Sequence, residues 1–239
     1  MPEIKERPIL FSAPMVRAIL EDRKTVTRRV VKGFQIPTED TAIPVGDRQR
    51  WSAIGQKDPR YGFCVFGSTE AECAKELEEY APCPYGRPGD RLWVRETFMD
   101  LRGTGVEHRP TPDSPLQRYA YAAECPPGSG SDEARKDFGL KWKPSIHMPR
   151  AACRIMLEIT VVRVERLQDI SEEQARAEGV RLMRDGSGTW VSREGPGKLV
   201  TPWPTAKEAF GDLWNSINGP RAWEANPWVW VVEFKRVTT

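Results

Sequence analysis

The sequence predicts an α+β fold: a small mixed β-barrel flanked by short helices and interrupted by long, loop-rich insertions. Three observations point to it. Strand-like runs lie near both ends, "RPILFS" at the start and "PWVWVVEFKRV" at the close. Short helical patterns stand where strands cross, with no regular strand–helix alternation that would build a doubly wound parallel sheet. The 21 prolines and 19 glycines gather between the periodic segments rather than within them. A chain of 239 residues suits one elaborated domain over 1–239, with insertions at about 33–88, 100–140 and 181–204.

Each element has its own signal. After "RPILFS", Ser12 is placed to cap a helix with Pro14 in its first turn, Met15, Ala18 and Ile19 inward, and an end near Asp22. Residues 33–88 and 100–116 lack sustained periodicity and predict at most a helix over 69–80; little apolar surface over 33–60 predicts mobility there. In "GDRLWVRETF", Leu92, Val94 and Phe98 alternate with Trp93, Arg95 and Thr97, as one continuous strand would, and "RYAYAAE" at 118–124 predicts another. Ile155, Leu157, Ile159 and Val161 share one parity, then Val162 and Val164 take the other, which asks for a bulge near Val161.

"DISEEQARAEG" predicts a short helix, with Ser171 and Gln174 as a capping box, Glu178 last, and Gly179 as a left-handed cap. A longer helix over 206–217 has the capping box Thr205/Glu208 and the stripe Phe210, Leu213, Trp214 and Ile217. In the closing strand Trp228, Trp230, Val232 and Phe234 share one face while Val229 and Val231 make the other apolar too, which suits a central strand.

Composition narrows the function. Lys plus Arg number 36 against 34 Asp plus Glu, and a net charge of +2 excludes a general polyanion binder, so any nucleic-acid role must rest on local patches. Five cysteines without a C-x-x-C pair, and two histidines, predict neither a metal site nor a cofactor. Their odd number, with no apolar leader in "MPEIKERPILF", predicts a cytoplasmic protein with free thiols. The longest apolar run, "PWVWVVEF", is far short of the ~20 residues of a membrane span.

"EDRKTVTRR" at 21–29 stands out, with four cations and two threonines. In order, "RKTVTRR", "GDRLWVRE", "LQDISEEQARAEG" and "VWVVEFKRV" resemble the ASCH family of PUA-like barrels, over residues 8–32, 86–98, 145–180 and 205–237. Larger members with segments similar to "RPILF", "WVRE" and "NPWVW" are often encoded by phages and prophages. The resemblance implies a PUA-like barrel, and it extends to the bacterial N4-acetylcytidine amidohydrolases, whose working groups are a lysine, a threonine three residues later, and a glutamate on a downstream helix. Lys24, Thr27 and Glu178 match those positions. The implied activity is hydrolysis of an N4-acylated cytidine-like nucleoside or base to the carboxylic acid.

The chemistry needs a nucleophile, a base and a donor for the leaving amine, roles open to Thr27, Lys24 and Glu178 respectively. A lysine base needs its pKa brought from ~10.4 toward ~7–8, by burial or by neighbours such as Arg23, Arg28 and Arg29. Residues three apart point to opposite faces of a regular strand, so Lys24 and Thr27 require a bend between them. Arg95, Glu96 and His147 are further candidates for the substrate pocket, which the insertions would edge. Plainer readings stand beside these: "RKTVTRR" as a solvated edge strand, Glu178 as a surface residue at a helix end, Arg95–Glu96 as an ion pair, and His147 as a loop hydrogen-bonder. Two other functions compete, a non-catalytic RNA- or DNA-binding module that uses the arginines on phosphates, and a metal-independent ribonuclease.

Overall fold

In a computed structural model the described residues are 3–32, 35–55, 63–80, 83–107, 112–192 and 200–237. The strand β1 (Glu6–Leu10) leads into the helix α1 (Ala13–Leu20), and β2 (Val26–Val30) follows directly. Ser12 has the extended backbone of a cap, but its side chain makes no capping hydrogen bond. Next come β3 (Thr38–Glu39), β4 (Trp51–Ile54), β5 (Cys64–Gly67) and α2 (Glu70–Tyr80). Then follow β6 (Arg91–Arg95), β7 (Phe98–Asp100), β8 (Tyr119–Tyr121) and α3 (Gly130–Asp137). The last third holds β9 (Met156–Arg166), α4 (Glu172–Ala177), β10 (Arg181–Leu182), β11 (Trp190–Val191), α5 (Ala206–Asn218) and β12 (Trp228–Val237).

The molecule is mixed α+β. Its main sheet runs β1-β6-β9-β12-β2, parallel between β1 and β6 and antiparallel elsewhere. Among the described residues no ladder joins β1 to β2, so the expected barrel is not closed by backbone hydrogen bonds. The chain leaves β1 into α1 instead of turning back, and what reaches across from β2 is a side chain, Arg29 Nη2 donating to the Leu10 carbonyl at 2.8 Å. β12 lies between β9 and β2 and buries both faces, as its sequence requires. Trp228, Trp230, Val232 and Phe234 join one core with Ile9, Leu92 and Leu157; Val229 and Val231 join a second with Val26, Phe210 and Trp214. The β9–β12 register slips so that Glu233 faces Val161 and Phe234 faces Ile159, leaving Thr160 unpaired, one residue from the expected bulge.

Three expectations are corrected. Residues 33–88 are not merely loops with one helix: β3, β4 and β5 form a three-stranded sheet, and Ala53, Val65, Cys73, Ala74 and Leu77 bury into the main core. Strands of two to four residues are too short for a period-2 pattern to show. The mobility expected over 33–60 falls partly on residues 33, 34 and 56–60, which lie outside the described residues. "GDRLWVRETF" is two strands, because Glu96 turns inward to Arg154 and Phe98 pairs instead with Tyr121 in a small sheet with β8. Within 181–204, β10 and β11 form a hairpin and Trp190 bridges Trp203.

Candidate active site

The site forms where α1 hands the chain to β2. Asp22 adopts φ 55°, a left-handed conformation that aspartate tolerates, and the amides of Arg23 and Lys24 both fold back to the Ala18 carbonyl. This sharp end supplies the bend that Lys24 and Thr27 need. Lys24 then pairs with Glu178 in an isolated antiparallel bridge, and the Thr25 amide donates to the Ala177 carbonyl.

Glu178 arrives from the other end of the chain's logic. The capping box of Ser171 and Gln174 starts α4, six residues carry it, and Glu178 is its C-terminal cap. Gly179 follows at φ 101°, where a Cβ would stand 2.9 Å from the Ala18 Cβ and 3.3 Å from the Lys24 Cβ. Only glycine allows α4, α1 and Lys24 to meet so closely. Glu172 fixes the next helix, its carboxylate accepting from the Ala206 and Lys207 amides at the start of α5.

The pair is buried. Lys24 Nζ donates to Glu178 Oε2 at 2.6 Å, to the Val26 carbonyl at 2.8 Å and to the Glu178 carbonyl at 3.0 Å, so all three ammonium protons have acceptors. Arg28 Nη1 meets Glu178 Oε1 at 3.2 Å, and its Nη2 donates to Glu165 Oε1 at 2.6 Å and to the capping-box Gln174 Oε1 at 3.1 Å. The Lys24 and Arg28 side chains are 0% exposed. Burial pulls the Lys24 amine below its ordinary pKa; Glu178 opposes that, while Arg29 and Arg28 reinforce it. A carboxylate at a helix C-terminus is unfavourably placed, and burial adds to the cost, so Glu178 depends on its two cations.

A cavity of about 190 Å³ opens beside this network, lined by Thr27, Arg28, Arg29 and Glu178 together with Met15, Tyr85, Phe210 and Trp214. Thr27 is buried, and among the described residues its hydroxyl makes no hydrogen bond, to Lys24, to Glu178 or elsewhere. It faces the cavity with Glu178, while Lys24 lies behind Glu178 and does not reach the lining. Arg29 sits 5.5 Å from the Phe11 ring centroid, and Lys24 Nζ 5.7 Å from the same ring.

The other candidates fall elsewhere. Arg23 pairs with Glu21 and donates to the Gly179 carbonyl at 2.6 Å, outside the cavity. Arg95 donates to the Ile146 carbonyl, Glu96 is held by Arg154 at 2.8 and 3.1 Å, and His147 is exposed on the short turn 145–147. None of the three lines the cavity, because they belong to β6 and its neighbours while the site lies beyond β2 at the opposite end of the strand order. Sequence reading missed Glu165 and Gln174 as partners of Arg28, and Tyr85 as a cavity wall. Gln174 was visible only as a capping residue, and Tyr85 lies in a segment read as insertion. Among the described residues, no group of three or more His, Cys, Asp or Glu is placed to hold a metal, and no helix is long and apolar enough to cross a membrane. Compared with known proteins, the chain matches no family model, no curated protein and no solved structure.

Proposed function

We propose that the chain is an ASCH-type, PUA-like amidohydrolase that removes the acyl group from an N4-acylated cytidine-like base, with Thr27 as nucleophile and the Lys24–Glu178 pair as its proton store. The observation that carries this reading is the buried Lys24–Glu178–Arg28 network set against a cavity that also exposes an unbonded threonine hydroxyl. Paired charges replaced by apolar residues are often no less stable, so a buried ion pair has little structural justification by itself. Beside a cavity, a lysine whose pKa is lowered by burial and that is held by a specific charge partner is a functional-site signature.

In the reaction the Thr27 oxygen attacks the acyl carbon and gives up its proton. Glu178 borders the cavity and bonds to Lys24 Nζ, so the proton reaches the Lys24 amine through that carboxylate without moving Lys24 off its two carbonyl acceptors. Lys24 must first be neutral, a state its burial favours. The C–N bond of the tetrahedral intermediate then breaks as the amine takes the proton back, leaving a threonyl ester that water hydrolyses to the acid. A cavity of about 190 Å³ is smaller than a usual ligand pocket of about 300–1,000 Å³, so it encloses the acylated base and leaves the sugar outside.

Thr27→Val tests the reading. The substitution keeps the shape and removes a hydroxyl that makes no hydrogen bond, so folding is retained. Release of acid from N4-acetylcytidine, or from an oligonucleotide containing it, followed by mass spectrometry, is expected to fall at least ~10²-fold. A parental rate in the variant overturns the covalent mechanism.

A further inference from the structure

Arg29 stands beside Thr27 with a charge that no carboxylate answers. Residues two apart on a strand project from the same face, so on β2 Arg29 shares the cavity wall with Thr27. The neighbouring cations are neutralised: Lys24 and Arg28 both pair with Glu178, and Arg28 pairs also with Glu165. Arg29 meets no carboxylate among the described residues. It is held instead by Nη2, which donates to the Leu10 carbonyl at 2.8 Å, and by the Phe11 ring, whose centroid is 5.5 Å away. Those two contacts fix the guanidinium and leave its Nε–H buried without an acceptor. A buried donor in that state is costly, and beside a cavity it calls for a ligand. Glu178 is the one carboxylate among the lining residues described, and two cations already hold it.

We propose that the Arg29 Nε–H holds the acyl oxygen of the substrate, as an oxyanion when Thr27 attacks and as a carboxylate oxygen once the acid has formed. The inference rests on the amidohydrolase reading for the chemistry, but not for carboxylate binding itself. As the bond from the Thr27 oxygen to the acyl carbon forms, the carbonyl π pair moves onto the acyl oxygen, which becomes negative. When the C–N bond breaks and the amine leaves with its proton, that pair re-forms the C=O bond. Hydrolysis of the threonyl ester by water passes through a second oxyanion, and its product is itself an anion. A neutral amide gains little from an unanswered cation, whereas both tetrahedral intermediates and the released carboxylate gain much, so the contact favours the transition states over the substrate. Arginine suits the task because it stays protonated at any pH at which Lys24 must lose its proton.

The test has two arms. In the first, kcat and KM for N4-acetylcytidine are measured for the parent, Arg29→Lys and Arg29→Met, each checked by circular dichroism. The fold should survive, since either change releases only the carbonyl of Leu10, an exposed residue that water can serve. The expected result is a fall in kcat of about 10²–10³-fold with KM within about three-fold, and Arg29→Lys should recover little, because an ammonium keeps the charge but not the Nε–H. A purely structural Arg29 would instead lower the melting temperature and leave kcat of the folded fraction unchanged. In the second arm, sodium acetate and acetamide are titrated at constant ionic strength onto ¹⁵N-labelled Thr27→Val protein. The Arg29 Nε–H resonance is followed, assigned by its absence once Arg29→Lys is added. Acetate should shift it saturably, and acetamide, neutral and of the same shape, should need at least about ten-fold higher concentration. Parental kcat in Arg29→Met, or an Nε–H resonance that responds to neither compound or equally to both, overturns the assignment. A shift by acetate with no turnover of acylated cytidine by the parent leaves the carboxylate site standing and removes the amidohydrolase reading, and the oxyanion role with it.

Discussion

Lys24 is the residue on which chemistry and stability pull in different directions. Read as part of a solvated edge strand, Lys24 would be dispensable to the fold, but the structure puts its ammonium out of reach of water, on a carboxylate and two carbonyls. Removing it strands Glu178 at a helix C-terminus with Arg28 as its remaining cation, and breaking a buried pair costs about 3–5 kcal/mol. Lys24→Met is therefore expected to lose about that much in chemical denaturation, and Lys24→Met/Glu178→Met to recover most of it, since Arg28 keeps Glu165 and Gln174. A double variant no more stable than the single one would show that the pair is not what the single change breaks. The same burial fixes a pH dependence. The folded-state pKa of Lys24 lies below 10.5, so between that lowered value and 10.5 the unfolded chain holds a proton that the folded chain has released. This group's contribution to stability therefore rises with pH through that window, whereas on the proposed mechanism kcat rises as pH passes the lowered value itself and is level above it, since the folded amine is by then free to accept. Lys24→Met should flatten the stability rise when denaturation midpoints are followed against pH.

At the scale of elements, what could be read from the sequence was whatever announces itself locally. Both capping boxes form as their residues foretell, Ser171 with Gln174 and Thr205 with Glu208, and β12 buries the two faces that its alternating tryptophans and valines imply. The short strands β3, β4 and β5 carry no such signal, since tertiary packing of Ala53 and Val65 against α2 decides them. Gly179 was legible as a cap, yet its second duty was not: nothing local says that Ala18 and Lys24 will press against it. That duty makes a sharp prediction. Gly179→Ala meets both an unfavourable φ of 101° and a carbon 2.9 Å away, and is expected to cost about 1–3 kcal/mol while also displacing Lys24 from Glu178. Turnover should therefore drop even in the fraction that remains folded, as measured by acid release under conditions where circular dichroism reports native signal. An exposed glycine with open space around it, such as Gly103 at φ 72°, supplies the control: Gly103→Ala shares the backbone strain but should leave turnover unchanged.

Across the whole molecule, the site depends on residues about 150 positions apart, and that distance is why only part of it was readable. Lys24, Thr27 and Glu178 could be nominated by resemblance, and Lys24 with Glu178 do meet, but Arg28's partners and the cavity wall at Tyr85 depend on topology that no window of sequence contains. Arg95 and Glu96 were nominated from one strand-like segment and His147 from a loop between prolines, and none of the three lines the cavity, which β2 borders at the other end of the sheet order from β6. The same topology ties the segment 33–88 to the rest. Leu77 on α2 is fully buried in a core that also holds Ile9, Leu92 and Trp230, and α2 packs on β9 through the Val164 amide, which donates to Glu78 at 3.0 Å. If that segment were an appended loop, truncating Leu77 would melt it alone and leave the main sheet untouched. The shared core predicts otherwise: Leu77→Ala is expected to destabilise the entire chain by about 2–5 kcal/mol, in one transition that near-ultraviolet and far-ultraviolet circular dichroism report together. Amide exchange gives the decisive reading, because a shared core requires protection in β12 to fall by the same free energy as protection in α2. Loss of protection confined to α2 and its three short strands would mean that they open as a unit of their own, and that the cavity edge at Tyr85 can move without the sheet that holds Thr27.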